Sequence, residues 1–418
     1  MTTRLLNPRE RHLSYLVATA AFEGQIDYEK AKEEALALTD DEVEALLHPV
    51  PPAEPALPHE QIPQKTWGAF EDGALFTSVG ITPYTVRFAG RQVLMGGVGG
   101  VATLPAYRRK GGVRACMQAA LQDMFEEGFL FSALYPFSSA YYTQFGYEKG
   151  APRLLWTLPL AKLKPSSAPG KVRQLLPGSD LAPLTCVYER FFAGFNLSSV
   201  SRKYRPDLDI AKLFNKQSYI FVYENTAGDP RGFMITSRDG RVMDCERNFC
   251  KEGDFLFLDA EAFLALTGFV KSAYSANYDS LRFSLPASLG LDSLVTESRG
   301  TGCSRNWEEM LRVVNVEKVL SMARCQGEGS IILAVEDNML PQNNGSWRIS
   351  FAPGTENQVE KTADAPDILL PIGSFSALIC GVQPADSLPM MPGVRIYDPS
   401  VPFGQLFYPQ KCAVSELF

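Results

Sequence analysis

The sequence predicts a mixed α/β fold of the α+β class, and three features indicate it. An apolar segment at residues 98–103 is followed by a loop rich in Arg and Gly, and then by an amphipathic stretch that ends near Glu127. Residues 129–135 are apolar and typical of a buried strand, so strand, loop, helix and strand follow one another. A similar order recurs after about residue 170. We therefore expect two units of sheet and helix, followed by a C-terminal domain.

The chain begins with predicted helices. Asn7 and Pro8 are typical of the N-cap and the first position of a helix, which we expect to extend through Phe22. Residues 39–42 have the Thr-x-x-Glu pattern of a capping box, which predicts a short helix that ends at Leu47. The Pro-rich stretch that follows is predicted to be a loop.

An antiparallel meander and a central helix come next. From Trp67 we predict three strands, separated by turns at 72–73 and 89–90. The helix after the Arg- and Gly-rich loop has its apolar side chains on one face, and Gly128 ends it. The residues of that face are Val113, Cys116, Met117, Ala120, Leu121 and Met124.

The second half of the chain repeats this order after a linker at 164–170. Strands are predicted near 218–223 and 231–237 and a helix from about Asp259, but no Arg- and Gly-rich loop precedes that helix. We therefore expect the second unit to bind no cofactor. The elements predicted from about residue 298 onward are helices at 316–323 and 372–380 and strands at 330–336 and 347–351.

The loop at residues 108–114, Arg-Arg-Lys-Gly-Gly-Val-Arg, predicts a pyrophosphate site. The helix that begins there has backbone N–H groups without an intrahelical partner and about half a positive charge at its N-terminus. Two glycines let an anion approach the backbone closely, and the arginines add bidentate phosphate donors. Helix N-termini of this kind bind phosphate groups in many proteins.

Three phosphate-binding patterns compete for this loop. A Walker loop requires Gly-Lys-Ser/Thr, which the loop lacks. Residues 97–102 satisfy the dinucleotide pattern G-x-G-x-x-A, but Pro105 prevents a helix from following, and Asp123 lies inside the predicted helix rather than at a strand end. The third pattern, Arg/Gln-x-x-Gly-x-Gly/Ala after a strand, is that of the pyrophosphate loop of the GNAT acetyltransferases. It fits, with Val113 in place of the usual small residue.

Two segments resemble one family of GNAT enzymes. Residues 101–114, Val-Ala-Thr-Leu-Pro-Ala-Tyr-Arg-Arg-Lys-Gly-Gly-Val-Arg, and residues 142–148, Tyr-Thr-Gln-Phe-Gly-Tyr-Glu, are similar to motifs of the Eis (enhanced intracellular survival) family of N-acetyltransferases. The resemblance implies tandem GNAT-like domains followed by a sterol carrier protein-like C-terminal domain. The implied limits are 1–152 for the N-terminal acetyltransferase domain, 153–297 for a degenerate GNAT-like domain and 298–418 for the sterol carrier protein-like domain.

The resemblance also implies roles for individual residues. Tyr142 matches the general acid of the family, and the terminal carboxylate of Phe418 matches its general base. Leu417 stands where the family has an acidic residue, the acid here being one position earlier at Glu416, and Glu23 is a second candidate for amine recognition. The residues implied in acetyl-CoA binding are Val101, Ala102, Thr103, Arg108, Arg109, Lys110, Gly111, Gly112, Val113, Arg114, Phe137 and Ser138.

Composition and charge argue against several classes of function. The 418 residues carry a formal net charge of −7, and the sequence pI is near 5.3, which argues against a nucleic-acid partner. The 8 cysteines form no Cys-x-x-Cys pair and the 3 histidines all precede the cofactor loop. We therefore expect neither a metal site nor a Ser-His-Asp or Cys-His catalytic site. An acidic surface favours cationic substrates.

We expect an acetyl-CoA-dependent N-acetyltransferase that acts on primary amines of a small cationic substrate, an aminoglycoside or a polyamine-like molecule, or on lysine side chains. The alternative hypothesis is a non-catalytic protein that binds CoA or a lipid. The sequence has no signal-peptide pattern and no apolar stretch of about 18 residues, which predicts no membrane span and a cytoplasmic location, with non-standard export left open. The family resemblance implies a homo-oligomer, a hexamer.

Overall fold

The chain forms two compact units in the computed structural model. The first unit contains residues 1–150 and 309–409, and the second contains residues 151–308 and 410–416. The residues that the structure describes are 1–22, 27–52, 54–201, 203–206, 208–246, 255–295 and 299–416.

Local sequence signals explain how the first unit begins. The helices and strands between residues 1 and 150 are β1 (Thr2–Leu5), α1 (Arg11–Phe22), α2 (Tyr28–Leu36), α3 (Asp40–Leu47), β2 (Lys65–Glu71), β3 (Ala74–Phe88), β4 (Arg91–Thr103), α4 (Gly112–Glu126), β5 (Phe131–Leu134), α5 (Ser139–Thr143) and β6 (Glu148–Lys149). The predicted capping box of α3 is confirmed: the N–H of Glu42 donates to the hydroxyl of Thr39 (3.2 Å), and the N–H of Thr39 donates to the carboxylate of Glu42 (2.8 Å). The Asn7 side chain likewise caps the turn that leads into α1.

Helix α4 packs on the sheet through its predicted apolar face. The side chains of that face that are at most 1% exposed are Cys116, Met117, Ala120, Leu121 and Met124. Burial of each large apolar side chain contributes roughly 1.5–3 kcal/mol relative to leaving it in water. This face therefore holds the N-terminus of α4 at the end of β4, where the Arg- and Gly-rich loop lies.

The second unit has its own sheet and its own apolar core. Its elements are β7 (Arg153–Pro159), β8 (Lys171–Leu175), α6 (Ala182–Phe192), α7 (Ile210–Asn215), β9 (Tyr219–Glu224), β10 (Pro230–Asp239), β11 (Val242–Asp244), β12 (Phe255–Phe257), α8 (Ala260–Tyr274), β13 (Ser280–Pro286) and β14 (Gly302–Asn306). The strand order is β14-β7-β13-β11-β10-β9-β8, and β12 also pairs with β10. The helix predicted from about Asp259 is confirmed as α8, and the side chain of Asp259 caps it.

The C-terminal part of the first unit adds a strand to the first sheet and builds a second sheet. Its elements are β15 (Met310–Val313), α9 (Val316–Met322), β16 (Gly329–Glu336), β17 (Gly345–Phe351), β18 (Gln358–Thr362), β19 (Ile368–Pro371), α10 (Ile372–Ile379), β20 (Arg395–Ile396) and α11 (Phe403–Leu406). This further sheet of the first unit has five strands in the order β18-β17-β16-β19-β20. The predicted helices and strands of this region are present, with ends shifted by one or two residues.

The first sheet combines strands from both ends of the chain. Its order is β1-β2-β3-β4-β5-β15-β6, and β4 with β5 is the parallel pair within it. Strand β15 lies between β5 and β6, antiparallel to both, and its partners in β5 run from Leu134 to Phe131. The buried helix α10 is tied to this strand because the N–H of Val313 donates to the hydroxyl of Ser376 (2.8 Å). Over the described part of the chain, no helix is long and apolar enough to cross a membrane.

Candidate active site

Strand β4 extends beyond its parallel partner β5 at one end of the first sheet. Their parallel pairing ends at Val98 and Leu134, where β5 stops, whereas β4 continues to Thr103. Ala102 and Thr103 pair with β3 on one side, and among the described residues no strand pairs with the other edge of residues 101–103. The end of β4 that extends beyond β5 therefore leaves backbone N–H and C=O groups open to a ligand with amide groups of its own.

The two glycines at the start of α4 are needed for different physical reasons. Gly111 is the N-cap residue and has a φ of 83°, a left-handed conformation that favours glycine. Gly112 lies against β3, where a Cβ atom would be 2.5 Å from the Oγ1 of Thr77 and 2.6 Å from a ring carbon of Phe76. Gly111 therefore allows the turn into the helix, and Gly112 lets the helix N-terminus, with its unpaired first N–H groups, lie close to the sheet.

A cleft of about 740 Å³ opens in front of this helix N-terminus. The predicted cofactor residues that line it are Val101, Ala102, Thr103, Arg108, Arg109, Gly111, Gly112, Val113, Arg114 and Phe137. The lining residues that sequence reasoning missed are Ala21, Phe22, Tyr107, Tyr141, Gln144 and Phe145. Phe22 is the last residue of α1 and is 59% exposed. The sequence predicted only that a helix ends there, which gave no sign that Phe22 lines a cleft.

The arginines of the loop differ in their surroundings. Arg108 and Arg109 are exposed, and neither guanidinium has an ion pair or side-chain hydrogen bond with any residue that the structure describes. Arg109 also has a φ of 67°, which is strained for a residue with a Cβ. The guanidinium of Arg114 lies 5.4 Å from the ring centre of Phe145. Two unpaired guanidinium groups at the start of a helix favour a doubly charged anion.

Three of the predicted residues that the structure describes do not line the cleft: Lys110, Ser138 and Tyr142. The ammonium of Lys110 pairs with the carboxylate of Glu71 (2.8 Å) and lies over the ring of Tyr107. Ser138 is the N-cap of α5, where its hydroxyl accepts from the N–H of Tyr141 (3.4 Å). Tyr142 is buried, with only 3% of its surface exposed. Phe418 lies outside the described residues, as does Glu23.

Tyr142 sits in a cluster of aromatic rings. Its ring centre is 5.5 Å from that of Phe137, 5.3 Å from that of Tyr141 and 6.3 Å from that of Phe145. Burial raises the pKa of Tyr142 above its ordinary value, and the neighbouring Tyr141 and Tyr147 add to the shift. Burial also raises the pKa of Tyr141, and the positive charge of Arg114 offsets part of this increase. Both phenols are therefore protonated at neutral pH, as a proton donor must be.

A strand edge that extends beyond β5, a helix N-terminus with a basic loop, and a tyrosine next to the cleft are the features expected of an acyltransferase of the GNAT type. Residues 34–150 match the family model described as Acetyltransferase (GNAT) domain, and residues 316–405 match that described as Sterol carrier protein domain. These matches confirm the predicted mixed α/β fold class and the predicted enzyme class, an N-acetyltransferase. GNAT domains use acetyl-CoA. Among the described residues, no group of three or more His, Cys, Asp or Glu side chains could hold a metal ion.

Similar proteins agree with this class. An "Uncharacterized N-acetyltransferase" of Streptomyces avermitilis is 23% identical over 332 residues, which cover 75% of this chain and 79% of that protein. A conserved protein of unknown function from Enterococcus faecalis, a probable N-acyltransferase, has a TM-score of 0.79 at 20% identity, over 100% of both chains. Eis1 from Mycobacterium abscessus has a TM-score of 0.72 at 20% identity, over 100% of this chain and 99% of its own. At these identities, the two solved structures show that the fold is shared.

Proposed function

We propose that this protein transfers the acetyl group of acetyl-CoA to a primary amine of a small cationic molecule, an aminoglycoside or a polyamine, or to a lysine side chain. We further propose that it is an Eis-like enzyme and assembles as a hexamer. The observation that carries the transferase proposal is the cleft, in which ten of the predicted cofactor residues meet at one helix N-terminus. The Eis assignment is supported by the two sequence motifs and by the fold shared with Eis1.

The cleft residues suit the two chemical parts of acetyl-CoA. The N–H groups at the start of α4, with the unpaired guanidinium groups of Arg108 and Arg109, would hold the pyrophosphate. The free edge of residues 101–103 would accept the pantetheine amides and place a backbone N–H near the thioester carbonyl. Acetyl-CoA supplies an activated acyl group with a thiolate as leaving group.

Two protons must move when the acetyl group is transferred. The amine nitrogen bonds to the thioester carbon and the carbon–sulfur bond breaks, so the nitrogen must lose a proton and the sulfur must gain one. Tyr142 would donate to the sulfur, since its raised pKa keeps the phenol protonated. The carboxylate of Phe418 would accept the proton of the amine, a role that rests on the family resemblance alone.

Charge supports a cationic acceptor. Phe22 at the end of α1 lines the cleft, and the next helices along the chain, α2 and α3, carry more acidic than basic side chains. The acidic residues of this helical segment are Asp27, Glu29, Glu33, Glu34, Asp40, Asp41, Glu42 and Glu44. Negative charge on a protein surface raises the local concentration of cations. The protein as a whole has a net charge of −7, which acts in the same direction.

The direct test is an acetyl-transfer assay of the full chain with acetyl-CoA and a panel of amines. The panel contains an aminoglycoside, spermidine, a lysine peptide and, as a matched control, the same peptide with norleucine in place of lysine. We expect thiol release together with a product that is heavier by one acetyl group for each amine modified, and none with the control peptide. Binding of acetyl-CoA without any acetylated product would favour the non-catalytic alternative.

A further inference from the structure

A buried ion pair lies behind the proposed catalytic segment. Arg312 of β15 and Asp337, which follows β16, are both completely buried. One guanidinium nitrogen of Arg312, Nη2, donates to both carboxylate oxygens of Asp337, at 2.6 and 2.7 Å. Its other terminal nitrogen, Nη1, donates to the backbone carbonyl of Phe145 (2.5 Å). A charge buried this deeply requires partners with good geometry, so the position of Phe145 is strongly restrained.

The turn after Phe145 is shaped to accept that guanidinium. Gly146 has a φ of 80°, and a Cβ atom there would overlap Nη1 of Arg312. The same turn is tied to the proposed acid, because the N–H groups of Phe145 and Tyr147 donate to the carbonyl of Tyr142 at 3.0 and 3.4 Å. The glycine of the Phe-Gly-Tyr motif and Arg312 are therefore complementary, and together they determine where the Tyr142 backbone lies.

The Asp337 carboxylate also organises the loop that follows it, residues 337–344. It accepts hydrogen bonds from the N–H groups of Met339 (2.9 Å) and Leu340 (3.1 Å) and from the side chain of Asn343 (2.9 Å). Three bonds to one carboxylate, in addition to those from Arg312, fix the loop as a rigid unit.

This loop touches the wall of the acetyl-CoA cleft. The side chain of Asn338 donates to the carbonyl of Gln144 (3.1 Å), and Nη1 of Arg114 lies 3.5 Å from the sulfur of Met339. Arg114 and Gln144 both line the cleft. The residues that hold this wall therefore come from a part of the chain about two hundred positions later, within the segment that matches the sterol carrier protein domain.

We infer that Arg312, held by Asp337, is a positioning residue for acetyl transfer. It fixes the Phe145–Gly146 turn, and through that turn it positions the Tyr142 side chain and the part of the cleft that Arg114 lines. The inference rests on the proposed function of the cleft. It gives the sterol carrier protein-like segment a part in the acetyltransferase site that does not require it to bind a lipid.

The test uses three new single variants of the full chain, together with Tyr142→Phe and its double variant with Arg312→Lys. Removal of Arg312 would leave Asp337 without its cationic partner in the core, so the conservative variant Arg312→Lys is the informative one. Asn338→Ala removes an exposed contact to the wall, and Glu336→Ala, at an exposed position two residues earlier, is its matched control. Thermal unfolding shows that each variant is folded at the assay temperature, so that rates are compared for folded protein.

We expect Arg312→Lys to lower kcat by about 10- to 100-fold with a smaller change in KM, as for a displaced catalytic group. The double variant with Tyr142→Phe should be no slower than Tyr142→Phe alone, because both changes remove the same contribution. Independent, multiplicative losses in this cycle would overturn the inference. Asn338→Ala should weaken acetyl-CoA binding by roughly 2- to 12-fold in calorimetry, and Glu336→Ala should not.

The measurements of acetyl-CoA affinity distinguish a failure of this inference from a failure of the proposed function. If the wild type acetylates no amine, the transferase proposal fails, and the calorimetric comparison of Asn338→Ala and Arg312→Lys with Glu336→Ala still decides whether the loop supports the cleft. Affinities equal to that of the control would overturn the inference in that case. A purely structural ion pair would lower the unfolding temperature but leave both the kcat cycle and the affinity of folded protein unchanged.

Discussion

Replacing Arg109 by glycine should change stability and acetyl-CoA binding in opposite directions. Arg109 has a φ of 67°, and the left-handed conformation costs a residue with a Cβ about 1–2 kcal/mol. Glycine avoids that cost but loses more chain entropy on folding, about 0.5–1 kcal/mol. The balance is a gain in the free energy of unfolding of about 0.5–1 kcal/mol for Arg109→Gly.

The same change should weaken binding of acetyl-CoA. The Arg109 guanidinium lines the cleft and pairs with no residue that the structure describes, so in our proposal its partner is the pyrophosphate. A hydrogen bond to a charged group contributes about 1.5–3 kcal/mol. Its loss corresponds to a dissociation constant that is higher by about 10- to 150-fold. A strained residue that is kept at a ligand site is consistent with such an exchange of stability for binding.

Calorimetric titration with acetyl-CoA and unfolding in denaturant measure the two effects separately. Lys110→Ala is the matched control, because Lys110 is the next residue and has the same charge, but its ammonium pairs with Glu71 and does not line the cleft. We expect its affinity to change by no more than about twofold, through the loss of one distant charge. Wild-type affinity in Arg109→Gly would refute the assignment of the guanidinium to the pyrophosphate.

The remaining predictions concern the acid, the base and the helix N-terminus. Tyr142→Phe should keep its acetyl-CoA affinity and lose about 10²–10⁴-fold in kcat, whereas Tyr141→Phe, the matched control in the same aromatic cluster, should lose less than about tenfold; equal losses would contradict the choice of Tyr142. Because burial raises the pKa of Tyr142 above 10.0, the phenol stays protonated up to about pH 10, and deprotonation of Tyr142 should not decrease kcat over that range. A decrease in kcat near pH 8 that Tyr142→Phe abolishes would argue against this role. A Gly-Ser extension after Phe418 should leave acetyl-CoA affinity intact but slow transfer strongly, while the same extension at the N-terminus should not; normal turnover with the C-terminal extension would require another base. Gly112→Ala should lower the free energy of unfolding by about 1–3 kcal/mol, because its Cβ would be 2.5 Å from the Oγ1 of Thr77, and an unchanged denaturation midpoint would show that the helix can shift without cost.

Local patterns in the sequence were sufficient to predict most of the elements around the cleft. The one-sided apolar face of α4, the glycine that ends it and the capping box of α3 are signals within a few residues of one another, and the structure has each of them. The position of the basic loop at the start of α4 was predictable for the same reason, whereas the phosphate site at that helix N-terminus stays a prediction.

Contacts between distant parts of the chain could not be predicted in this way. Strand β15 pairs with β5 although about 180 residues separate them, and periodicity carries no information on which strands pair. For the same reason Arg312 could not be identified from local patterns, because its partners Phe145 and Asp337 are distant in the sequence. The burial of Tyr142 was equally hidden, because three further aromatic residues within a few positions of it fit either a cleft or a core.

The two helices that occupy equivalent places in the predicted repeat show why a single cofactor site per chain is expected. Helix α4 follows Arg108 and Arg109, which pair with no residue that the structure describes, and has a glycine as its N-cap, so its N-terminal N–H groups are open to an anion. Helix α8 begins at Asp259, whose carboxylate already accepts the N–H of Ala262 (2.8 Å) and pairs with Arg231. A carboxylate at the N-cap satisfies the helix dipole from within the protein and repels a phosphate. The start of α8 therefore stabilises its own helix, whereas the start of α4 leaves that stabilisation to a ligand.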